Sequence, residues 1–554
     1  MRYTFLLPMI VAVLYGTAGG QPLGLAGETA EKLNAVLAPF DSNESPGCAI
    51  AVVKNGHVVY AKACGMADLE HGIRLSIDSV FHLASESKQF TAAAVLTAAH
   101  RGALSLDDDV RVYIPELPDY GSTITLRHLL HHTSGLRDYT TLWLLAGDDH
   151  ADLHTTDRTL ALLADQRQLN FIPGTAYCYS NSGYFLLGVA LARATGQSLR
   201  AFANEQLFVP LNMKHTRFVD DRGELISRRA EGHARRVDGG FGRFTSNSEV
   251  VGARGVVSTL GDLARWEGVF HDRTLGAALT EGLLAPGRLN RGDALPYAAG
   301  LVIEDFDGLT TVSHGGVSDG YSAFLLRYPE LRLSVICLAN CAQTGTASAA
   351  WRAAVTCIFG PYRDQALPLL SPQPAPVFID LSDVQLNAWA GAYRDPRTRA
   401  VWRVFAQEGS LALDTGLVRW PLRPLATDRF QSPGPGQRIQ AAFGDGTIRV
   451  EIQGQPPSTL ERVDMVSPAD VPLADYAGAY HSDELNVTWS LEVRKGSLRF
   501  AGYGTPAAPF DPTLTDEFAL GAELRVSFAR DSTGRVVSMS AHTDRVWNLQ
   551  FVRR

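Results

Sequence analysis

The sequence predicts an α/β protein of the α+β kind. Helices cover a mixed sheet in one large domain, and two small all-β barrels follow it. Three observations carry this. Strand-like segments stand at both ends of residues 28–362, around a helical middle. The composition turns proline-rich at 363–381. Beyond that point the chain repeats itself at an offset of 87 or 88 residues.

The elements follow in order. The first residues, MRYTFLLPMIVAVLYGTAGG, pair Arg2 with an apolar run from Phe5 to Tyr15 and small residues at Gly16 to Ala18. That is the pattern of a signal peptide over 1–20, so the protein is expected to be periplasmic or secreted. ETAEKLNAVLAPF reads as a helix. CAIAVVK, the turn Asn55-Gly56 and HVVYAKA read as a hairpin. If Lys54 pairs with His57, Cys48 falls opposite Ala63 and Cys64 faces the other side of the sheet. No bridge between these two is therefore expected, and all six cysteines are read as small buried residues.

An apolar run follows Ser85, and DRTLALLADQRQL, SGYFLLGVALARATG and LGDLARWEGVF carry apolar residues at helical spacing. Strands return near residue 300 in AAGLVIED, TTVSHGG, SAFLLRYP and LRLSVICLAN, and ASAAWRAAVTCIF closes the region as a helix. Strands so far apart in sequence predict one sheet with an inserted helical lobe, and a cleft between the two.

Pro368, Pro372, Pro374 and Pro376 mark 363–381 as a linker. In the repeat, Leu386, Trp389, Gly391 and Tyr393 correspond to Leu473, Tyr476, Gly478 and Tyr480. Trp402 corresponds to Trp489, and Pro424, Asp428 and Phe430 to Pro512, Asp516 and Phe518. Each copy, 382–464 and 470–554, is a series of short alternating runs. About eight such strands in so few residues predict a barrel, because closure removes edges.

A net charge of −8, with no basic block, argues against nucleic acid as a partner. After the first residues no apolar run approaches the roughly 18 needed to span a membrane.

Of the six lysines, only Lys88 has a serine three residues before it. Ser85-x-x-Lys88 at a helix start puts a hydroxyl and an amine on one face, near N–H groups that favour an anion. That makes a nucleophile with a base beside it. The pattern alone arises often by chance, so its company matters. Tyr179-Ser180-Asn181 offers a phenol that ionises more readily near a lysine cation, and an amide that can hold both Lys88 and a substrate carbonyl. His314-Gly315-Gly316 follows apolar residues, and its glycines let a substrate backbone come close. His128 and His132 stand at i, i+4, but no glutamate or third ligand accompanies them. No metal is expected.

Together these motifs, with LLHHTSGL, VPLNMKHT and GARGVVSTLGDLARW, resemble the serine beta-lactamase-like hydrolases. That family includes class C beta-lactamases, penicillin-binding DD-peptidases, D-aminopeptidases and esterases. The resemblance covers about residues 30–360 and implies a beta-lactamase-like fold. The duplicated tail is similar to the paired lipocalin-like barrels of the three-domain D-aminopeptidase branch. His-Gly-Gly departs from the family's frequent Lys-Thr-Gly.

The resemblance implies Ser85 as the acyl-forming nucleophile, Lys88 as its activator, Tyr179 as the proton shuttle and Asn181 as the orienting amide. It also implies an oxyanion hole from the N–H groups of Ser85 and Val317, beside Gly315 and Gly316. His314, in place of a lysine, would hold a substrate carboxylate less firmly. No cofactor is required. The expected substrates are D-amino-acid peptides or amides. Small esters or beta-lactams, and a peptide- or glycan-binding role without catalysis, are the alternatives. A homodimer is the assembly expected beyond the single chain. In the resembled enzyme a loop of the last barrel restricts the active site, and 431–437 and 501–512 are the candidates here.

Overall fold

A computed structural model describes residues 24–25, 27–244, 246–371, 376–433, 438–501 and 508–554. The expected leader at 1–20 and part of the proline-rich segment lie outside the described residues.

The hairpin forms as β1 (Cys48–Lys54) and β2 (His57–Cys64). Four strands from the far end of the domain join it: β3 (Val302–Phe306), β4 (Leu309–Ser318), β5 (Tyr321–Tyr328) and β6 (Leu333–Ala339). The order is β3-β4-β5-β6-β1-β2, antiparallel throughout. Every residue of β1 and β6 is buried. This explains their unbroken apolar runs, since central strands covered on both faces need no polar alternation.

The hairpin register differs from the expectation. Lys54 does face His57, but a bulge sets Val52 opposite Tyr60 and Val53 opposite Val58. The extra residue shifts everything beyond it by one, so Cys48 faces Cys64 rather than Ala63. All six cysteines are free thiols. Five are buried, but Cys178 is only half-buried, contrary to the uniform reading above.

One face of the sheet packs on α1 (Glu28–Leu37) and α8 (Thr346–Ile358). The other packs on α2 (Ser87–His100) and the helical lobe. That lobe includes α3 (Leu126–Leu130), α4 (Tyr139–Ala146), α5 (Thr156–Ala164), α6 (Asn181–Thr195) and α7 (Leu260–His271). Helix α2 is buried on nearly all sides, and its run of alanines allows close approach of α6. Among the described residues no helix is long and apolar enough to cross a membrane.

Each repeat closes into an eight-stranded antiparallel barrel, from β7 (Gly391–Arg394) to β14 (Ser458–Val463) and from β15 (Gly478–Ser482) to β22 (Leu549–Arg553). The first barrel has its own apolar core, centred on Leu411, Leu422, Ile448 and Leu460. The core of the second is continuous with that of the large domain.

Candidate active site

Ser85 lies in a single 3-10 turn, Ala84–Glu86, that runs directly into α2. Short strands hold this turn. Phe81–His82 pairs with Val256–Ser258, and Leu83 N–H donates to Val256 O at 2.8 Å. Ala84 has φ +50°, a left-handed conformation costly for a residue with a Cβ, placed immediately before Ser85. Its N–H donates to His82 Nδ1 at 3.1 Å.

Lys88 sits one turn on and is fully buried. Its Nζ lies 2.9 Å from Asn181 Oδ1, 2.9 Å from Ala253 O and 3.2 Å from Ser85 Oγ. Burial, reinforced by the positive charge of Arg545, holds its pKa well below the usual lysine value, against the pull of Asp138. A neutral amine has two hydrogens and one lone pair. With the two fixed oxygens taking its hydrogens, such an amine would keep its lone pair for the Ser85 hydroxyl.

Asn181 opens α6. Its N–H donates to Asp138 Oδ2 at 2.6 Å, and its Nδ2 donates to Thr140 Oγ1 at 3.3 Å. Asp138 is itself fully buried and caps α4 by accepting from Thr141 N–H at 3.1 Å. It also accepts from the Thr140 hydroxyl. Asp138 therefore ties the helix carrying Asn181 to the helix beside it.

Tyr179 brings its ring centroid within 4.8 Å of Lys88 Nζ. Its pKa is raised, chiefly by burial, although contact with Ser85 and the charge of Arg545 pull the other way. This reverses the expectation of an easily ionised phenol, because burial disfavours the phenolate. His132 packs on Tyr179 with ring centroids 4.3 Å apart. It has φ +58°, and its Nδ1 accepts from Ser180 N–H at 3.1 Å. His128 is elsewhere, making a reciprocal capping box with Thr125 at the start of α3.

His314, Gly315, Gly316 and Val317 lie along β4, on the wall facing the turn of Ser85. His314 Nδ1–H donates to Gly315 O at 2.7 Å, so Nε2 accepts from Tyr297 Oη at 3.2 Å. Burial, then the field of Lys88, lowers its pKa to about 3. The imidazole is neutral, and protein partners occupy both nitrogens. A Cβ on Gly316 would come within 2.2 Å of Leu83 O and 3.0 Å of Ser85 N, so only glycine lets β4 approach the Ser85 turn. Val317 stands 63% exposed at the mouth.

Ser85, Tyr179, Asn181, His314, Gly316 and Val317 share one cleft of about 720 Å³. The second barrel completes its wall. The loop 543–548, between β21 (Val536–His542) and β22, enters it. The Arg545 guanidinium lies 4.9 Å from the Tyr179 ring centroid, and Arg545 O accepts from Asn170 Nδ2 at 2.9 Å and from Asp138 N–H at 3.3 Å. The loops expected to reach the site were others: 434–437 and 502–507 lie outside the described residues, and 508–512 belongs to a strand of the second barrel.

Ala84, Asp138, Tyr297 and Arg545 were not singled out by the motifs. Asp138 alone carried a signal, as an acid before the apolar helix YTTLWLLA. Arg545 had none, because only barrel docking brings it here.

A buried lysine beside a serine on a helix start, with tyrosine, asparagine and a glycine-bearing strand around it, is an arrangement consistent with a serine hydrolase. The Beta-lactamase family pattern matches residues 32–357, and the chain belongs to that family. It is 27% identical to a D-aminopeptidase of Brucella anthropi over 514 residues, 90% of this chain and 93% of that one. Penicillin-binding protein 4* of Bacillus subtilis is 31% identical over 305 residues, 52% of this chain and 67% of the other. In fold, the octameric penicillin-binding protein homologue from Pyrococcus abyssi superposes with a TM-score of 0.54 at 21% identity, covering 78% of this chain and 99% of that one.

Proposed function

We propose that this serine hydrolase acts through an acyl-enzyme on peptides or amides containing D-amino acids. The observation that carries the reading is the position of buried Lys88, whose Nζ lies 3.2 Å from Ser85 Oγ and is fixed by Asn181 Oδ1 and Ala253 O. The D-aminopeptidase relatives, aligned over nine-tenths of the chain, support the substrate class.

In this reading Ser85 Oγ attacks the scissile carbonyl as its proton passes to Lys88 Nζ. The N–H groups of Ser85 and Val317 receive the developing oxyanion, a contribution of about 10²–10³ in rate per donor. The C–N bond breaks as the Tyr179 phenol gives its proton to the leaving nitrogen, and the proton on Lys88 replaces it. A raised tyrosine pKa suits this role, because the phenol must hold its proton until the amine departs. Water then enters by the reverse path and releases the acid. Asn181 holds Lys88, and His314 fixes the shape of β4.

The test is incubation of purified protein with D-alanine p-nitroanilide and with a fluorescent fluorophosphonate. Turnover and labelling are expected for the wild type and neither for Ser85→Ala. Labelling that survives the substitution would refute the assignment. Export belongs to the same proposal and is checked by N-terminal sequencing of protein from the periplasmic fraction. Light scattering, with a homodimer at twice 60.0 kDa, checks the assembly.

A further inference from the structure

The cations lining the cleft are matched except for one. Arg254 is paired with Asp319 and donates to Ser246 Oγ at 3.1 Å. Asp148 is held by Arg158 at 2.7 Å, with His154 at 3.7 Å. Asp149 is an exposed residue at the rim and accepts from Ala151 N–H at 2.6 Å. Behind the wall, Asp138 is saturated by the Asn181 N–H, the Thr141 N–H and the Thr140 hydroxyl. Burial keeps His150, His154 and His314 below the ordinary histidine range, and Lys88 is committed to Ser85.

Arg545 is the exception. Among the described residues its guanidinium has no carboxylate within ion-pair distance; Asp544, its neighbour, is paired with Arg525 at 2.8 Å. Asp138 and Tyr179 act on it only through space. Its backbone is nonetheless fixed. The carbonyl holds Asn170 and Asp138, and the N–H donates to Thr543 Oγ1 at 3.1 Å. On either side, Cys178 Sγ–H donates to Asp544 O at 3.5 Å and Trp547 N–H donates to Asn170 Oδ1 at 2.8 Å. A rigidly mounted, half-buried guanidinium with an unclaimed fork is a receptor for a carboxylate.

We propose that Arg545 receives a carboxylate of the substrate, so that the preferred substrates are anionic D-amino-acid peptides rather than ones selected for a free amine. This rests on the hydrolase reading above and narrows it. It also compensates for His314, which is neutral and internally bonded and cannot supply that charge. The specificity element is thus carried by the second barrel, outside the catalytic domain.

The test compares acetyl-D-Ala-D-Ala with its C-terminal amide, which differ in one charge. The ratio of kcat/KM values is read for wild type, Arg545→Gln and Arg545→Lys. The wild type is expected to prefer the carboxylate by about tenfold or more, the range of a charge-assisted hydrogen bond. Arg545→Gln is expected to lose that preference through KM, and Arg545→Lys to keep part of it. A wild-type ratio near one overturns the proposal. So does an equal fall for both substrates in Arg545→Gln, which would assign Arg545 to tuning Tyr179. Absence of all Ser85-dependent turnover would instead overturn the hydrolase reading. The charge preference is then read by calorimetric binding of N-acetyl-D-alanine and its amide to Ser85→Ala, with and without Arg545→Gln. Equal binding of the two ligands to Ser85→Ala overturns the role of Arg545.

Discussion

At Lys88, reactivity and stability oppose each other. Burial lowers the pKa of this lysine in the fold, so between its folded pKa and the ordinary lysine value the unfolded state binds the extra proton. Stability from this group therefore rises with pH up to that ordinary value. Lys88→Met is expected to be inactive, and to lose thermal stability relative to wild type as pH is raised from about 7 to about 10. Parallel Tm profiles for the two proteins would show that Lys88 is charged in the fold. The same direction governs activity. kcat/KM is expected to fall on the acid side as Lys88 takes up a proton, and on the alkaline side only above the ordinary tyrosine range, because burial raises Tyr179. A pH profile with Tyr179→Phe as control separates the two limbs.

Helix α2 and the Ser85 turn are tied to strand β5 and helix α7 by buried polar contacts. Gln89 Nε2 donates to Glu86 Oε2 at 2.5 Å, while its Oε1 accepts from Trp266 Nε1 at 2.6 Å and Arg327 Nη2 at 2.9 Å. Arg327 also pairs with Glu267 at 2.9 Å, both fully buried. Removing one partner leaves a charge without compensation. Arg327→Met is expected to cost about 3–5 kcal/mol in urea denaturation. Gly316→Ala acts on the other side of the turn. The added methyl must push β4 away from Leu83 O, and a loss of about 10² in kcat/KM is expected with little change in unfolding midpoint. Near wild-type rates in that variant would mean that β4 does not supply the oxyanion donor.

The two barrels, alike in sequence, are used differently by the whole molecule. The second is bonded to the helical lobe. Arg137 and Glu484 form an ion pair of 2.7 Å, both buried, and Trp489 Nε1 donates to Leu145 O at 3.1 Å. The first keeps a separate core and meets the second through Arg394 and Arg399 on Glu517. Calorimetry is expected to show the first barrel unfolding as its own transition, and the second melting with the catalytic domain. One cooperative endotherm for the whole chain would contradict this. Glu484→Ala strands Arg137 and is expected to detach the second barrel's transition from the domain's, with a loss of about 3–5 kcal/mol.

The fold class and the pairing of Ser85 with Lys88 were legible in the chain because they depend on local patterns. Alternation and helical spacing mark strands and helices, the repeat marks the barrels, and Ser85 and Lys88 are three residues apart on one helix. Charge state and access were not legible. The Lys88 pKa is lowered by burial and by the charge of Arg545, far along the chain. The Cys48 register turned on a single bulge that hydrophobic alternation does not reveal. Arg545 enters the cleft only because the second barrel docks on α4 and its neighbours, burying Arg137 and Glu484. Sequence determines which groups can react where neighbours in the chain are neighbours in space. Desolvation and long-range docking decide their protonation and what they meet, and these exist only once the tertiary structure has formed.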